Sequence, residues 1–161
     1  MSRLDRHEVR AKDTVGDWCQ GFLRYDYKTN KYYVYNQNGE WEVSNLTICR
    51  NTGFHSRLGE VDYGPIHEFD IVQLTWRSDK KEFFLMYYCN EMNCLSAMPL
   101  TKITDRNMSF FVGDRTDMMS MDTFSFIMQD PWGDVRSVEI IGNILDDSVI
   151  IEGVSGDKLL L

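Results

Sequence analysis

A series of short aromatic and β-branched runs, interrupted every few positions by turn residues, constrains the fold of this chain most. Such side chains suit half-buried, pleated surfaces. The run at 70–77 alternates cleanly, with Val72, Leu74 and Trp76 on one face. The run at 82–89 is apolar on both faces, which indicates a central strand. About ten such runs predict a mostly β chain, a small SH3-like barrel or a sandwich of short antiparallel strands with a β-rich annex.

Turn chemistry divides these runs. Asn38-Gly39 is a strong hairpin signal, because a type I′ turn needs positive φ values that both residues tolerate. Residues 46–49 (LTIC) are predicted as a short strand, and the glycine-rich stretch 51–65 as a loop. Residues 118–129 alternate as a strand does and are assigned to one, although their Ser-Met-Asp-Thr stretch could instead open a short helix.

The length of 161 residues favours one domain. Residues 1–16 are polar and are predicted to form a flexible N-terminal arm, of which the first twelve residues have a basic excess. Residues 17–161 are then a single β-rich domain. Within it, 101–135 match no clear pattern and form a candidate insertion.

The charge balance limits the partners. The chain has 17 basic and 25 acidic residues, a formal net charge of −8, so its surface repels nucleic-acid phosphates and anionic lipid head groups. No segment reaches the apolar length of a membrane span, and the N-terminus lacks the apolar core of a signal peptide. We therefore expect a cytoplasmic protein that binds neither nucleic acid nor membrane.

Two of the four cysteines form a candidate metal-ligand pair. Cys89 and Cys94 flank a four-residue turn and can sit opposite each other on a hairpin. Such a pair could form a disulfide, or it could serve as half of a zinc site with Cys49 or His67 as further ligands. Structural zinc sites usually show two closely spaced pairs, so buried thiols in a reduced cytosol are the favoured interpretation.

Other chemical motifs are weak. Histidines His55 and His67 flank the glycine-rich stretch and are interpreted as solvated loop residues. Four acidic residues cluster in sequence without a calcium-loop spacing, and would serve a metal-dependent enzyme only if they converged on one ion: Asp105, Asp114, Asp117 and Asp122. No glycine-rich phosphate-binding motif is present. The sequence therefore assigns no catalytic residue, no metal ligand and no cofactor.

One region is densely aromatic, and its members are Trp18, Phe22, Tyr25, Tyr27, Tyr32, Tyr33, Tyr35 and Trp41. These rings could form a stacking platform for sugars, peptides or bases. Net acidity argues against bases. Core packing is the favoured use, and a subunit interface is the next.

Three ordered passages resemble the YopX family of phage and prophage proteins. Residues 18–21 (WCQG) are similar to the family's W-x-x-G. Residues 46–53 (LTICRNTG) are like its T-V-x-Q-Y-T-G and lead to 67–72 (HEFDIV), like Y-E-G-D-I-V. Residues 139–144 (EIIGNI) are like E-V-I-G-N-I. The motif residues carried by the resemblance are structural: Trp18, Gly21, Thr52, Gly53, Asp70, Ile71, Val72, Gly142 and Asn143.

The chain departs from this pattern at several points. Phe69 stands where the family usually has Gly, Arg50-Asn51 replaces Gln-Tyr, and the stretch 54–66 is longer than usual.

The resemblance implies a phage or prophage-derived protein in the cytoplasm of a bacterial host, without an established biochemical role. We expect a non-enzymatic accessory module that binds a host or phage protein or associates with itself as a homo-oligomer. The alternatives are an acidic nucleic-acid mimic that occupies a host DNA-binding protein and, less favoured, a metal-dependent enzyme.

Overall fold

A computed structural model describes residues 8–89, 94–104, 108–112, 118–130, 132–146 and 149–152. Most of them lie in strands, which pair antiparallel except for β10 with β13. The predicted class, mostly β with short antiparallel strands of the barrel or sandwich kind, is confirmed. The strands are β1 (Glu8–Lys12), β2 (Trp18–Asp26), β3 (Lys31–Asn36), β4 (Gly39–Val43), β5 (Cys49–Leu58), β6 (Val61–His67), β7 (Asp70–Trp76), β8 (Lys81–Cys89), β9 (Cys94–Lys102), β10 (Ser109–Val112), β11 (Met119–Ser120), β12 (Val135–Asn143) and β13 (Ile150–Glu152).

The chain divides into two compact units, where the sequence predicted a single domain over 17–161. Unit 1 is Met1–Phe54 with Pro65–Glu68, and unit 2 is His55–Gly64 with Phe69–Leu161. Strands β5 and β6 contribute residues to both units.

Unit 1 has the strand order β5-β1-β2-β3-β4. A 3-10 turn at Asn45–Thr47 connects β4 to β5. A bridge between Asp13 and Val43, and a hydrogen bond from Ser44 N to Lys12 O at 3.0 Å, bring the end of β4 against the end of β1. This unit is barrel-like but not closed, because a short bridge, not a full ladder, connects the end of β4 to the end of β1. Its buried core is Val9, Ala11, Val34 and Val43.

Part of the predicted flexible arm is a strand. Residues 1–7 lie outside the described part of the chain, but Glu8–Lys12 form β1 and pair with β2 and β5. Val9 and Ala11 alternate with charged residues and are buried, which is the period of a half-buried strand. The arm prediction is therefore wrong for these residues, because two small apolar side chains among charges gave too weak a signal.

Two local predictions in unit 1 need correction. The β3–β4 hairpin is confirmed, but Asn36 pairs with Gly39, so the loop is Gln37-Asn38. Asn38 does not adopt a positive φ, and the turn is not type I′. Residues 46–49 are not a strand, because the 3-10 turn holds Asn45–Thr47 and β5 begins only at Cys49.

The glycine-rich stretch 51–65 is not a loop, because it lies in β5 and β6 with a turn between them. Gly53 has a φ of 88° and Gly64 a φ of 105°, values that glycine adopts without strain. Asx-type hydrogen bonds support both positions: Gly53 N donates to Asn51 Oδ1 at 2.8 Å, and Gly64 N donates to Asp62 Oδ1 at 2.7 Å. These glycines are irregularities inside strands.

Unit 2 has the strand order β13-β10-β9-β8-β7-β12, followed by the end of β5. Strand β8 pairs with β7 and with β9, which confirms its predicted central place. Ile71, Leu85 and Met98 align across three strands on one face and are fully buried. On the opposite face Phe84 contacts Phe124, with ring centroids 4.8 Å apart.

The assignment of 118–129 to a strand is wrong, and the helical alternative is confirmed. Helix α1 spans Met121–Gln129 after the two-residue strand β11. Ser120 Oγ accepts a hydrogen bond from Thr123 N at 3.3 Å, as a helix N-cap does. Phe124 and Met128 are buried four residues apart, and Asp130 ends the helix with a φ of 52°. No helix among the described residues is long and apolar enough to cross a membrane.

Candidate functional site

Four of the motif residues singled out in the sequence meet at the β7–β12 pair. Asp70 lies opposite Asn143, and Ile71 lies opposite Gly142, across a register shift in β12. Asp70, Ile71 and Asn143 are buried. A Cβ at Gly142 would lie 2.5 Å from Met108 Cε, so the glycine makes room for a packed side chain. Val72, which follows Ile71 on β7, is fully buried. These five residues therefore have a structural role in packing β7 against β12.

The other motif residues lie in unit 1 and do not join this group. Trp18 begins β2, with the Arg10 guanidinium carbon 4.2 Å from its ring centroid. Gly21 is buried where a Cβ would clash with the backbone oxygen of Tyr35. Thr52 donates a hydrogen bond to Ile66 O at 2.7 Å, and Gly53 follows it. These residues also shape the backbone.

The predicted metal-ligand candidates do not converge among the described residues. Cys89 and Cys94 are directly paired in register, as predicted, and neither forms a disulfide. No group of three His, Cys, Asp or Glu side chains within the described ranges could hold a metal ion. Asp122 lies in α1, whereas Asp105, Asp114 and Asp117 fall outside the described residues.

The two histidines are strand residues, so their interpretation as solvated loop residues is wrong. His67 is buried at the end of β6. His55 lies in β5 and its Nδ1 is 2.9 Å from Asp62 Oδ1. The pKa of Asp62 lies below its ordinary value, first because His55 donates to the carboxylate and next because Gly64 N does. The pair joins β5 to β6 and so stabilises the hairpin.

The aromatic run is divided between the two faces of its strands. Tyr32 packs against the core of unit 1. Phe22 and Tyr35 are cross-strand neighbours on the opposite face, with ring centroids 5.8 Å apart. Core packing therefore explains one part of the run, and the other part forms an outer face on which charged side chains lie beside the rings.

Unit 2 carries a largely apolar groove among its described residues. It has a volume of about 410 Å³, and its lining residues are Ser56, Leu58, Tyr63, Val138, Glu139 and Ile140. We call it the β5–β12 groove. Leu58 and Tyr63 expose 46% and 66% of their surface beside it, and Val61, next to them on β6, exposes 59%. Large apolar side chains exposed together mark sites of association more often than isolated ones do.

The groove exists because two strands separate. Strand β12 pairs with β5 only at Ser137–Leu58 and Val138–Arg57, although it continues beside β7 as far as Asn143. From Glu139 onward no described strand pairs with this edge of β12. Three consecutive β12 residues line the groove. Because successive side chains of a strand point to opposite faces, all three can border one groove only along the backbone edge of β12.

The net charge of the protein lies in unit 2. Eight of the 17 basic and eight of the 25 acidic residues fall in unit 1, which leaves unit 2 with nine basic and 17 acidic residues, a balance of −8. Glu139 is the only acidic or basic side chain among the residues that line the groove, and its Oε2 accepts from Gln73 Nε2 at 3.2 Å. The groove is thus a mainly apolar surface in an acidic unit.

Three described carboxylates of unit 2 lie on separate elements, each beside a basic side chain, in the pairs His55–Asp62, Lys80–Glu82 and Arg136–Asp79. A nucleic-acid mimic needs a continuous, unneutralised face, so this distribution gives that alternative no support.

Sequence reasoning missed the groove because its hairpin side came from the stretch interpreted as a loop. Leu58, Val61 and Tyr63 are spaced as alternating strand residues around a two-residue turn, and this was the available signal. The separation of β5 from β12 is a long-range feature with no local signature. No protein-family model, curated protein or solved structure matches the chain.

Proposed function

We propose that this chain is a non-enzymatic, protein-binding accessory module and that it binds a polypeptide partner at the β5–β12 groove. One observation carries the proposal: the exposed apolar side chains Leu58 and Tyr63 line an open groove, and Val61 is exposed on the same hairpin, in a unit that is otherwise strongly acidic. Exposed aromatic and aliphatic anchors beside a concave surface are typical of interfaces.

Binding fits the lining better than catalysis does. General acid–base chemistry usually needs a second titratable group or a nucleophile in reach of the first. Ser56 and Tyr63 line the groove with Glu139, but the Ser56 hydroxyl donates to Gly64 O at 3.2 Å and the Glu139 carboxylate already accepts a hydrogen bond from Gln73.

The proposal includes the YopX-like, phage-derived origin and the bacterial cytoplasm as its setting. What supports the resemblance is Phe69, which stands where the family usually has Gly. Its φ is 67°, in the left-handed region that favours glycine. The backbone therefore has at this position the conformation that the family's usual residue would adopt freely.

A different protein is a better occupant than a second copy. Two copies would bring together two units that each carry −8, and like charges across an interface oppose association. Light scattering over a range of concentrations tests this point. A dimer that Tyr63→Ser dissociates would replace the proposed partner by self-association.

The experiment is a selection of random peptides of about ten residues, enough to form one strand, on the immobilised full chain. Each recovered peptide is then measured on the variants Leu58→Ser and Tyr63→Ser. We expect a set of peptides whose affinity falls by about tenfold or more on these variants.

The matched controls are Leu46→Ser and Tyr27→Ser in unit 1, which make the same substitutions at residues that are 80% and 88% exposed. These controls should leave affinity unchanged, and circular dichroism should show all four variants folded. Recovery of no peptide, or of peptides that bind the groove variants as well as the parent, would overturn the proposed function.

A further inference from the structure

We infer that the occupant of the β5–β12 groove is an extended, basic segment of the partner, which adds to the open edge of β12 as a further strand. This rests on the proposed function and names the class of ligand. The inference combines the unpaired edge, the alternating apolar lining and the charge of unit 2.

One backbone edge of β12 has no paired strand beyond Val138 among the described residues. β12 pairs with β7 on one side from Val135 to Asn143, but with β5 on the other side only through Val138. An unpaired strand edge presents a row of N–H and C=O groups that another strand can satisfy. Peptides bind many domains in this way, with main-chain hydrogen bonds supplying affinity and side-chain pockets supplying specificity.

The lining indicates what the added strand would carry. In an extended segment alternate side chains face the same way. Leu58 and Tyr63 on the hairpin side, with Ile140 on β12, offer apolar contacts to one such set. Val, Ile or Thr at every second position suits both the strand conformation and these contacts.

The acidic surroundings of the groove indicate which side chains the alternate positions of the added strand would carry. Glu139 lines the groove, and the unit around it has an excess of eight acidic residues. Arg57, the nearest basic residue along β5, donates to the backbone oxygens of Gly59 and Met128, so hydrogen bonds hold its guanidinium. Lys or Arg at the alternate positions of the segment therefore meets a complementary field.

The test uses the groove-dependent peptides from the selection described above. We expect peptides with net positive charge to outnumber those with net negative charge by about tenfold or more, with β-branched residues at every second position. A set without excess positive charge would overturn the assignment of a basic ligand.

Strand addition is tested on the tightest such peptide, by N-methylation of every second backbone amide. The two alternate registers of N-methylation should differ by about tenfold or more in affinity, because only one set of amides faces the β12 edge. Equal affinity in the two registers would overturn strand addition. Amide hydrogen exchange should also slow at Ile140 or Ile141 on binding.

Glu139→Gln should weaken the basic peptide and reduce the dependence of its affinity on salt, whereas Glu42→Gln in unit 1 should change neither. If the groove variants affect peptides of every charge and both registers equally, this inference fails while the proposed function stands. If no peptide depends on the groove, the proposed function itself fails.

Discussion

Asn143 donates a hydrogen bond from Nδ2 to Asp70 Oδ1 at 3.0 Å, between two buried side chains that face each other across β7 and β12. Asn143 Oδ1 also accepts from Leu145 N at 2.9 Å. The asparagine therefore links the start of one strand to the turn that follows the other. The contact gives a physical reason for an Asp and an Asn at these places.

Asn143→Leu should lower the free energy of unfolding by about 1–3 kcal/mol, because the buried Asp70 carboxyl loses a donor that a leucine cannot replace. Urea denaturation measures this change. Asn38→Leu, in the exposed β3–β4 turn, is the control and should stay within about 0.5 kcal/mol. Equal losses for the two variants would show that the buried contact contributes nothing specific.

Phe69 has a φ of 67°, and its backbone donates to Met86 O and accepts from Ile144 N. These bonds fix a left-handed conformation that a side chain with a Cβ adopts at a cost of about 1–2 kcal/mol. Phe69→Gly should therefore be more stable than Phe69→Ala by about 1 kcal/mol. Both variants lose the same phenyl ring, so thermal unfolding compares the backbone alone. An alanine variant at least as stable as the glycine variant would contradict the strain.

Local alternation was sufficient to predict most of the sheet. Strand β7 was expected from the alternation of apolar residues at 70–77, and strand β8 from the continuous apolar run at 82–89. The pairing of Cys89 with Cys94 followed from the short turn between them. In such segments the sequence pattern and the packing agree.

The candidate site could not be predicted in the same way. Gly53, Gly59 and Gly64 made 51–65 resemble a loop. Gly53 and Gly64 instead lie within β5 and β6, where each has a positive φ and donates a hydrogen bond to a side chain two residues earlier. The groove also depends on where β12 leaves β5, which only tertiary packing determines. Helix α1 was ambiguous because Phe124, Phe126 and Met128 satisfy a strand period, while Phe124 and Met128 alone satisfy a helical one.

The N-cap of α1 gives a direct test of that assignment. Ser120→Ala removes the hydroxyl that accepts from Thr123 N and should cost about 1 kcal/mol of stability. Ser120→Asp keeps an acceptor at the helix N-terminus and should retain most of it. Chemical denaturation of the three proteins checks the order. If aspartate is no better than alanine, the hydroxyl does not act as a cap.

Gly21 and Gly142 differ in what an added methyl group would meet. At Gly21 it would clash with the backbone oxygen of Tyr35, whereas at Gly142 it would approach the flexible end of Met108. Backbone cannot move aside as a methionine tip can, so Gly21→Ala should cost about 1–3 kcal/mol and Gly142→Ala less. Thermal unfolding of the two alanine variants measures the difference. The reverse order would contradict the close approach of β2 to β3.

The pH dependence of the β5–β6 hairpin should follow Asp62. Its pKa is lowered mainly because His55 donates to the carboxylate, and the backbone N–H of Gly64 adds to this. A folded pKa below the unfolded one means that the contribution to stability is fully present above the unfolded pKa and is lost as the pH falls through the folded pKa. The affected window is therefore acidic, below the ordinary range of an aspartate.

His55→Phe keeps a ring of similar size without the donor, so the pKa of Asp62 should rise toward its ordinary value. Carbon-13 NMR of the side-chain carboxyl measures it directly. Asp26 is the internal control, because its lowered pKa comes first from the backbone N–H of Lys28 and should not respond. If the pKa of Asp62 does not change, the backbone N–H of Gly64 is the cause of its low value. The hairpin would then be stabilised by this turn hydrogen bond and not by His55.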